Sequence, residues 1–419
     1  MHKRLSNFSE VVVISENCSY CSGDLKVLLN LGCLPPVNVM DQVGEDYFGF
    51  SAYPLTWAVC QTCKLVQILE QLDGSTVFPD SYPYLSSTTR ILRDNFAEQF
   101  NEITSFLTLN SDDLVVDVGS NDGTLLSNYK GTAKILGVEP TGAANVAREN
   151  GIETIKEFFS EQISKKIMAS HGTAKVVTAC NVFAHIPNLN SITGAVKELL
   201  ADDGVFISES HYLYSLIETL QFDTIYHEHL RYYSVEFLSR LFNDFDMEII
   251  RVKRIPTHGG SIRVWSAKKG VFAPDASVKE ILDYERKSDT EGSLNLDNFV
   301  DRLLDWRQEF RSLVAKIKME KKSLAAIGAP SRASTLISFA GLSHLDLPSV
   351  GEISGSHKIG RYMPGTSIPV VDEKEILSGE VDYLLMLSWH IAEELIPKLR
   401  KGGYKGKFLV PLPRPLIVE

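Results

Sequence analysis

The sequence predicts an α/β protein in three parts, and three observations carry that prediction. Two Cys-x-x-Cys pairs, Cys18/Cys21 and Cys60/Cys63, lie in an N-terminal stretch of short apolar runs and turns. From Leu114 onward, buried strands alternate with helices, which marks a parallel sheet covered by helices. After a charged, helical stretch over 276–322, a second such alternation opens at Leu324. The parts divide at 1–80, 81–275 and 276–419.

At 419 residues, 44% hydrophobic and 23% charged, the composition is that of a globular protein with ample core. A formal charge of −11 argues against nonspecific nucleic-acid binding, though a local basic pocket for a small phosphorylated ligand is allowed. No apolar run approaches the ~20 residues of a membrane span. The basic start Met1-His2-Lys3-Arg4 is followed only by the short run Val11–Ile14, flanked by Glu10 and Glu16, so no signal segment is expected and the protein reads as cytoplasmic.

In the first part, each Cys-x-x-Cys turn offers two thiolates, and the two together complete a tetrahedral four-thiolate zinc site. The 38 residues between Cys21 and Cys60 make a long loop for such a ribbon, and a redox pair is the rival for either knuckle alone. With four protein ligands the metal has no open position, so its expected role is structural. Cys33 and Cys180 read as buried thiols. Pro35-Pro36 and Tyr53-Pro54 punctuate loops between short strands.

A polar, aromatic segment over 81–89 leads into a run from Arg90 to Leu107 with helical apolar spacing. The strand Leu114–Val118 then enters Gly119-Ser120-Asn121-Asp122-Gly123, an Asp-x-Gly-x-x-x-Gly turn counted from Asp117. Gly119 permits a sharp turn and Gly123 a close approach. Asp117 could anchor the turn or reach a cationic amine, and Ser120 and Asn121 supply the turn's polar groups. The next strand, Lys134–Val138, ends at Glu139, where a carboxylate can take both ribose hydroxyls. The dinucleotide pattern Gly-x-Gly-x-x-Gly does not fit. The spacing suits a nucleoside with no pyrophosphate over the turn, as in S-adenosylmethionine, and the unit is Rossmann-like. A third strand near 152–155 precedes Phe158-Phe159, an aromatic flank for adenine. A fourth over 175–180 ends at Asn181 and His185, which should face the cofactor from the strand's carboxyl end. A fifth, 205–210, and two strands over 251–264 around Thr257-His258-Gly259-Gly260 close the sheet as a hairpin.

Between them lies the stretch with the densest chemistry. Phe222 to Ser234 packs two imidazoles, two carboxylates and three phenols into thirteen residues. Such groups are costly to bury unpaired, and together they suit proton transfer and oxyanion stabilisation. The rival reading is a polar, partly exposed helix start. A zinc-protease helix is excluded, because His227 and His229 are two apart rather than four. In the third part, helices over 278–287 and 303–322 connect the units, suiting either a homodimer contact or a hinge in a monomer. Strands follow at 324–327, 382–387 and 407–410. Gly360-Arg361-Tyr362-Met363-Pro364-Gly365 could hold a phosphate or be a surface turn.

Taken in order, the Cys pairs, Tyr82-x-Tyr84-x-Ser-Ser, Asp117-x-Gly-Ser-Asn-Asp-Gly, Asn181-x-Phe-Ala-His185, Tyr226-His-Glu-His229, His258-Gly-Gly-Ser-x-Arg-Val and Gly360-Arg-Tyr-x-Pro-Gly-Thr give a resemblance. The chain resembles the S-adenosylmethionine-dependent C-methyltransferases of deoxysugar biosynthesis, from about Cys18 to Pro413. The resemblance implies a zinc-binding N-terminal lobe, a central Rossmann-like methyltransferase domain and a C-terminal Rossmann-like lobe for a nucleotide-linked 4-keto sugar. It implies His229 as the base alpha to the ketone, with Tyr226 and Glu228 beside it. His185 and either Tyr82 or Tyr84 would stabilise the oxyanion. His227, His258, Gly259, Arg332, Arg361 and Tyr362 fall in motifs that would meet the substrate. Two departures bear on that substrate: Ala329-Pro330-Ser331-Arg332-Ala333 stands for the expected Ala-Pro-Ala-Lys-Gly, and Glu352-Ile353-Ser354 for an acidic residue and Asn. The rival functions are O- or N-methylation, a nucleotide-sugar epimerase or dehydrogenase, and a binding protein with an inactive methyltransferase domain.

Overall fold

The structure, a computed structural model, describes residues 12–44, 51–82, 84–292 and 295–419. The N-terminal part has strands β1 (Val12–Ile14), β2 (Leu25–Leu34), β3 (Tyr53–Cys60), β4 (Val66–Ile68) and β5 (Glu70–Leu72). β2, β3 and β4 form an antiparallel meander, and β1 pairs with β5. β1, β4 and β5 are as short as expected, whereas β2 and β3 are longer, and Trp57 in β3 is fully buried against Phe299 and Tyr232 from the other parts. Burial on that scale favours a continuous strand.

The central part contributes β6 (Leu114–Val118), β7 (Lys134–Val138), β8 (Thr154–Ile155), β9 (Ala174–Cys180), β10 (Leu200–His211), β11 (Arg231–Tyr232), β12 (Met247–Ile255) and β13 (Ser261–Lys268). Seven of these form one sheet in the order β12-β13-β10-β9-β6-β7-β8. The five strands from β10 to β8 run parallel, and the expected hairpin closes the edge antiparallel. β6 is buried throughout, as a strand covered on both faces must be. Its neighbours β7 and β9 lie on opposite sides, so the strand order reverses at β6 and opens a crevice at the carboxyl ends.

The eighth strand, β11, leaves this sheet. It pairs antiparallel with β4, Arg231 opposite Gln67 and Tyr232 opposite Val66, and so becomes the outer strand of the N-terminal meander. The chemistry-rich stretch is therefore clamped between two parts of the molecule. It is not an exposed helix start: after a short 3-10 turn at Phe222–Thr224, every residue to Val235 is buried.

The C-terminal part holds β14 (Leu324–Ile327), β15 (Val350–Glu352), β16 (Val370–Asp372), β17 (Tyr383–Met386), β18 (Lys407–Val410) and β19 (Leu416–Val418), in the order β16-β15-β14-β17-β18-β19. β15 and β16 escape the sequence reading because strands of three residues carry almost no periodicity. The connecting helices run over Ala276–Thr290 and Leu296–Met319. The second buries Phe299, Leu303, Trp306, Phe310, Val314 and Ile317 at helical spacing, touching all three parts. Phe299 meets Trp57, Trp306 meets Phe222 and Phe339, and the Trp306 indole donates to the Pro411 carbonyl. Among the described residues, no helix is long and apolar enough to cross a membrane.

Candidate active site

A cavity of about 640 Å³ opens where the carboxyl ends of β6, β7, β9 and β10 meet the clamped stretch and the edge of the C-terminal part. One end is built by the glycine turn. Gly119 has φ +69°, and a Cβ there would lie 2.3 Å from Val182 Cγ2, so only glycine fits. Asn121 donates its backbone N–H to Glu139 Oε2 at 3.0 Å, while Thr141 N–H meets Oε1 at 2.9 Å. Glu139 is thereby fixed with lone pairs left toward the cavity it lines. Phe159, Phe158, Leu92 and Phe96 supply apolar walls. Asn181 lines the same end, and its buried Oδ1 has no partner. An acidic acceptor, aromatic faces and an orphaned carbonyl oxygen fit a nucleoside that carries amino groups.

The opposite end holds the proton chemistry. His229 Nδ1 lies 2.6 Å from the Thr224 carbonyl. A carbonyl only accepts, so Nδ1 carries the proton and Nε2 keeps its lone pair. Burial, reinforced by nearby His185, holds this imidazole well below the usual histidine range, so it is neutral. Tyr226 packs against it at a 34° tilt, with ring centroids 4.0 Å apart. Glu228 accepts from Asn38 Nδ2 at 2.6 Å and from the Tyr82 hydroxyl at 3.2 Å, and burial pushes its carboxyl up to about 7. His185 Nδ1 bonds the Glu228 carbonyl, and its ring centroid is 5.0 Å from that of His229. Arg231 secures the frame, reaching Ser19 within the first cysteine knuckle and the carbonyls of Ile186 and Pro187.

The four cysteines converge away from this cavity. The sulfurs of Cys18, Cys21, Cys60 and Cys63 all lie within 4.8 Å of one another, with Cys18–Cys63 and Cys21–Cys60 each at 3.5 Å. Tetrahedral zinc–thiolate bonds require sulfur separations of about 3.8 Å, so the cluster is compatible with a zinc-binding lobe. Each knuckle closes on a left-handed residue, Ser22 (φ 58°) and Lys64 (φ 64°), whose N–H returns to the carbonyl of Cys18 or Cys60. The Cys63 sulfur beside it lowers the Cys18 thiol below its ordinary range.

Comparison with known proteins follows the same division of the chain. Residues 89–252 match the family profile described as a methyltransferase domain, and residues 256–413 match that of the C-methyltransferase C-terminal domain. The C-methyltransferase NovU of Streptomyces niveus is 30% identical over 418 residues, covering 98% of each chain. The chain belongs to the C-methyltransferase family. Solved structures with a similar fold include an S-adenosylmethionine-dependent methyltransferase from Clostridium acetobutylicum ATCC 824, at 16% identity over 42% of this chain and 92% of that one, TM-score 0.34. Another, from Anabaena variabilis ATCC 29413, shares 15% identity over 45% of this chain and 89% of that one, TM-score 0.35.

In this C-methyltransferase the structure separates the expected site residues into two groups. Gly119, Asn121, Glu139, Phe159, Asn181, His185, Tyr82, Tyr84, Tyr226, Glu228, His229, His258 and Arg332 line the cavity. Tyr82 is the phenol on Glu228, whereas the carbonyl of Tyr84 takes the Asn121 side chain beside the glycine turn. The second group serves the frame. Asp117 accepts from Thr178 Oγ1 at 2.7 Å inside the sheet, where burial raises its carboxyl to about 7. Ser120 is buried behind the turn, its Oγ close to the position a Gly137 Cβ would take. Gly123 packs against Ile152. The His227 ring reaches the cavity edge but bonds the Pro54 carbonyl at 2.9 Å. Gly259 accepts from Gln221 Nε2 at 2.6 Å. Arg361 and Tyr362 dock on the N-terminal lobe, bonding the carbonyls of Met40 and Asp41. Cys33 is exposed, a correction to the buried thiol expected, because the strand carrying it faces solvent there; Cys180 is half-buried at the cavity wall. Asn38, His211, Lys358 and His390 carry no sequence signal. They reach the cavity or its carboxylate only because four distant segments converge.

Proposed function

We propose that this C-methyltransferase uses S-adenosylmethionine to methylate the carbon alpha to the ketone of a nucleotide-linked 4-keto-deoxysugar, with His229 as the base. The observation that carries the reading is the Nδ1–H···O=C bond to Thr224, which leaves a neutral imidazole presenting its Nε2 lone pair in an enclosed cavity. A carbon beside a ketone becomes nucleophilic only after deprotonation, so a base and donors for the enolate oxygen are both needed. Nε2 of His229 takes the proton. Tyr226, its ring packed at a tilt against that of His229, supplies a phenolic O–H at the same end, while Tyr82 donates its own O–H to Glu228 and leaves its oxygen to accept from a substrate hydroxyl. His185 has its Nδ1–H committed to the Glu228 carbonyl, so its Nε2 suits a substrate hydroxyl better than an oxyanion.

Gly119, Asn121, Glu139, Phe159 and Asn181 would hold the cofactor, which when bound supplies an electrophilic sulfonium methyl. The enclosing walls keep water from the enolate and set the approach of the two reactants. The four cysteines would hold a structural zinc. A nucleotide on the substrate is supported by a second turn of the same design. Gly328, φ +85°, donates to the Gly351 carbonyl at 2.8 Å as Gly119 donates to that of Val138 at 2.7 Å. Ala329 N–H meets Glu352 Oε2 at 2.9 Å, as Asn121 N–H meets Glu139. Lys358 Nζ stands above this turn on the Ala329 carbonyl, lining the cavity as a cation suited to phosphate.

The test is methyl transfer from labelled S-adenosylmethionine to a panel of nucleotide-linked 4-keto-6-deoxysugars in deuterated buffer, read by mass and proton NMR. A new carbon-bound methyl, with deuterium washed into the alpha position of unreacted sugar, is expected. Methylation of oxygen or nitrogen with the alpha-hydrogen retained would overturn the enolate route.

A further inference from the structure

We propose that Arg332 is a positioning residue, which fixes the proton-bearing nitrogen of His229 from the C-terminal part rather than binding substrate. The inference rests on the reading of His229 as the base. A guanidinium has five N–H donors. In Arg332 four are engaged inside the protein: Nε to Asp223 Oδ2 at 2.8 Å, Nη2 to Asp223 Oδ1 at 2.7 Å and to Gln221 Oε1 at 3.1 Å, and Nη1 to the His258 carbonyl at 3.1 Å. The Trp389 ring lies under the guanidinium at 4.8 Å, and its indole N–H donates to the same Asp223 Oδ2 at 2.8 Å. One Nη1 proton remains, too little for a phosphate fork.

The object of all these contacts is one short segment. Asp223 is fully buried within the 3-10 turn Phe222–Thr224, and the next carbonyl along the chain, that of Thr224, receives the Nδ1–H of His229. Arg332 immediately precedes the helix Ala333–Ala340, whose Thr335 hydroxyl also donates to the Ile225 carbonyl at 3.3 Å. The C-terminal part thus grips the turn on both sides of Thr224. If the turn rotates, the carbonyl leaves Nδ1 and the imidazole is free to place its proton on Nε2, where it is no base. A lysine at 332 keeps the charge but supplies no bidentate fork, so it cannot hold both oxygens of Asp223 in plane.

The test pairs steady-state kinetics with proton–nitrogen correlation spectra of the full chain carrying 15N-histidine, the His229 signals being assigned by their loss in His229→Asn. In Arg332→Lys, kcat should fall about 10–100-fold with KM for the sugar nucleotide within about twofold, and His229 should shift from the pure Nδ1–H tautomer to a mixture. Breaking a buried pair can unfold a protein, so the double variant Arg332→Met/Asp223→Asn, which removes both charges, is measured alongside and should show the same tautomer mixture. A raised KM with unchanged kcat and unchanged His229 tautomer would make Arg332 a substrate ligand and overturn the proposal. So would a folded double variant with the wild-type tautomer. The spectra need no substrate, so they decide the role of Arg332 even where the proposed sugar fails. Near-normal turnover by His229→Asn would instead remove the base assignment itself.

Discussion

At the residue scale, catalysis is written in which atom of each side chain is already occupied. His229 has one nitrogen spent on Thr224 and one open to the cavity, while His227, two residues earlier, has Nε2 spent on Pro54. Two imidazoles of the same motif thus divide into the proposed base, with one nitrogen open, and an anchor, a distinction set by neighbours and not by residue type. The expected outcome for His229→Asn is a loss of at least ~100-fold in kcat with S-adenosylmethionine affinity unchanged, measured by single-turnover kinetics and calorimetry. Asn38 shows the same principle from the other side. Its amide holds Glu228 and its carbonyl oxygen accepts from Ser331 at 2.6 Å, so one polar side chain ties two remote parts to the carboxyl at the cavity wall.

At the element scale, two devices set the site. The first is the glycine turn after β6. Gly119→Ala forces a side chain into left-handed backbone and onto Val182, a cost of about 1–3 kcal/mol that falls on the cofactor loop. Cofactor affinity should therefore drop by at least about tenfold in a calorimetric titration, with the rest of the fold intact. The second is β11, the outer strand of a meander whose turns carry the four cysteines. Removing a bound metal with a chelator should loosen that meander and with it the segment just before β11. Thermal stability and kcat should both fall, although none of these four cysteines lines the cavity, and restored zinc should recover them. Full activity in protein shown by elemental analysis to be metal-free would refute this link.

At the scale of the whole molecule, three parts enclose imidazoles that water would otherwise charge. Burial draws His258 down to about 4 and His390 to about 3, each with Arg332 as a further cause. In the unfolded chain such groups bind a proton at an ordinary histidine value near 6.5. The unfolded state therefore takes up protons first, and stability contributed by the neutral His258 is lost as pH falls from about 6.5 toward about 4. In urea titrations across that window, His258→Asn should lose less stability than the parent chain. Parallel pH profiles for the two would show that His258 is not buried as described.

Local sequence made much of this legible. The alternation after Leu114, the glycine turn, Glu139 at the end of β7 and the paired cysteines depend on contacts a few residues long, and such contacts leave a mark in pattern and spacing. The stretch 222–234 announced itself by the density of its ionisable groups. What pattern could not reach was the partner of each group. That β11 would join the N-terminal sheet, that Arg332 would be spent on Asp223, and that Arg361 would dock on Met40 depend on pairings across 109 to 321 positions of chain. The sequence alone determined the fold class and the kinds of chemistry available. Only the tertiary structure decided which atoms remain free to perform it, because a donor or acceptor is free only when every neighbour the fold brings to it is known.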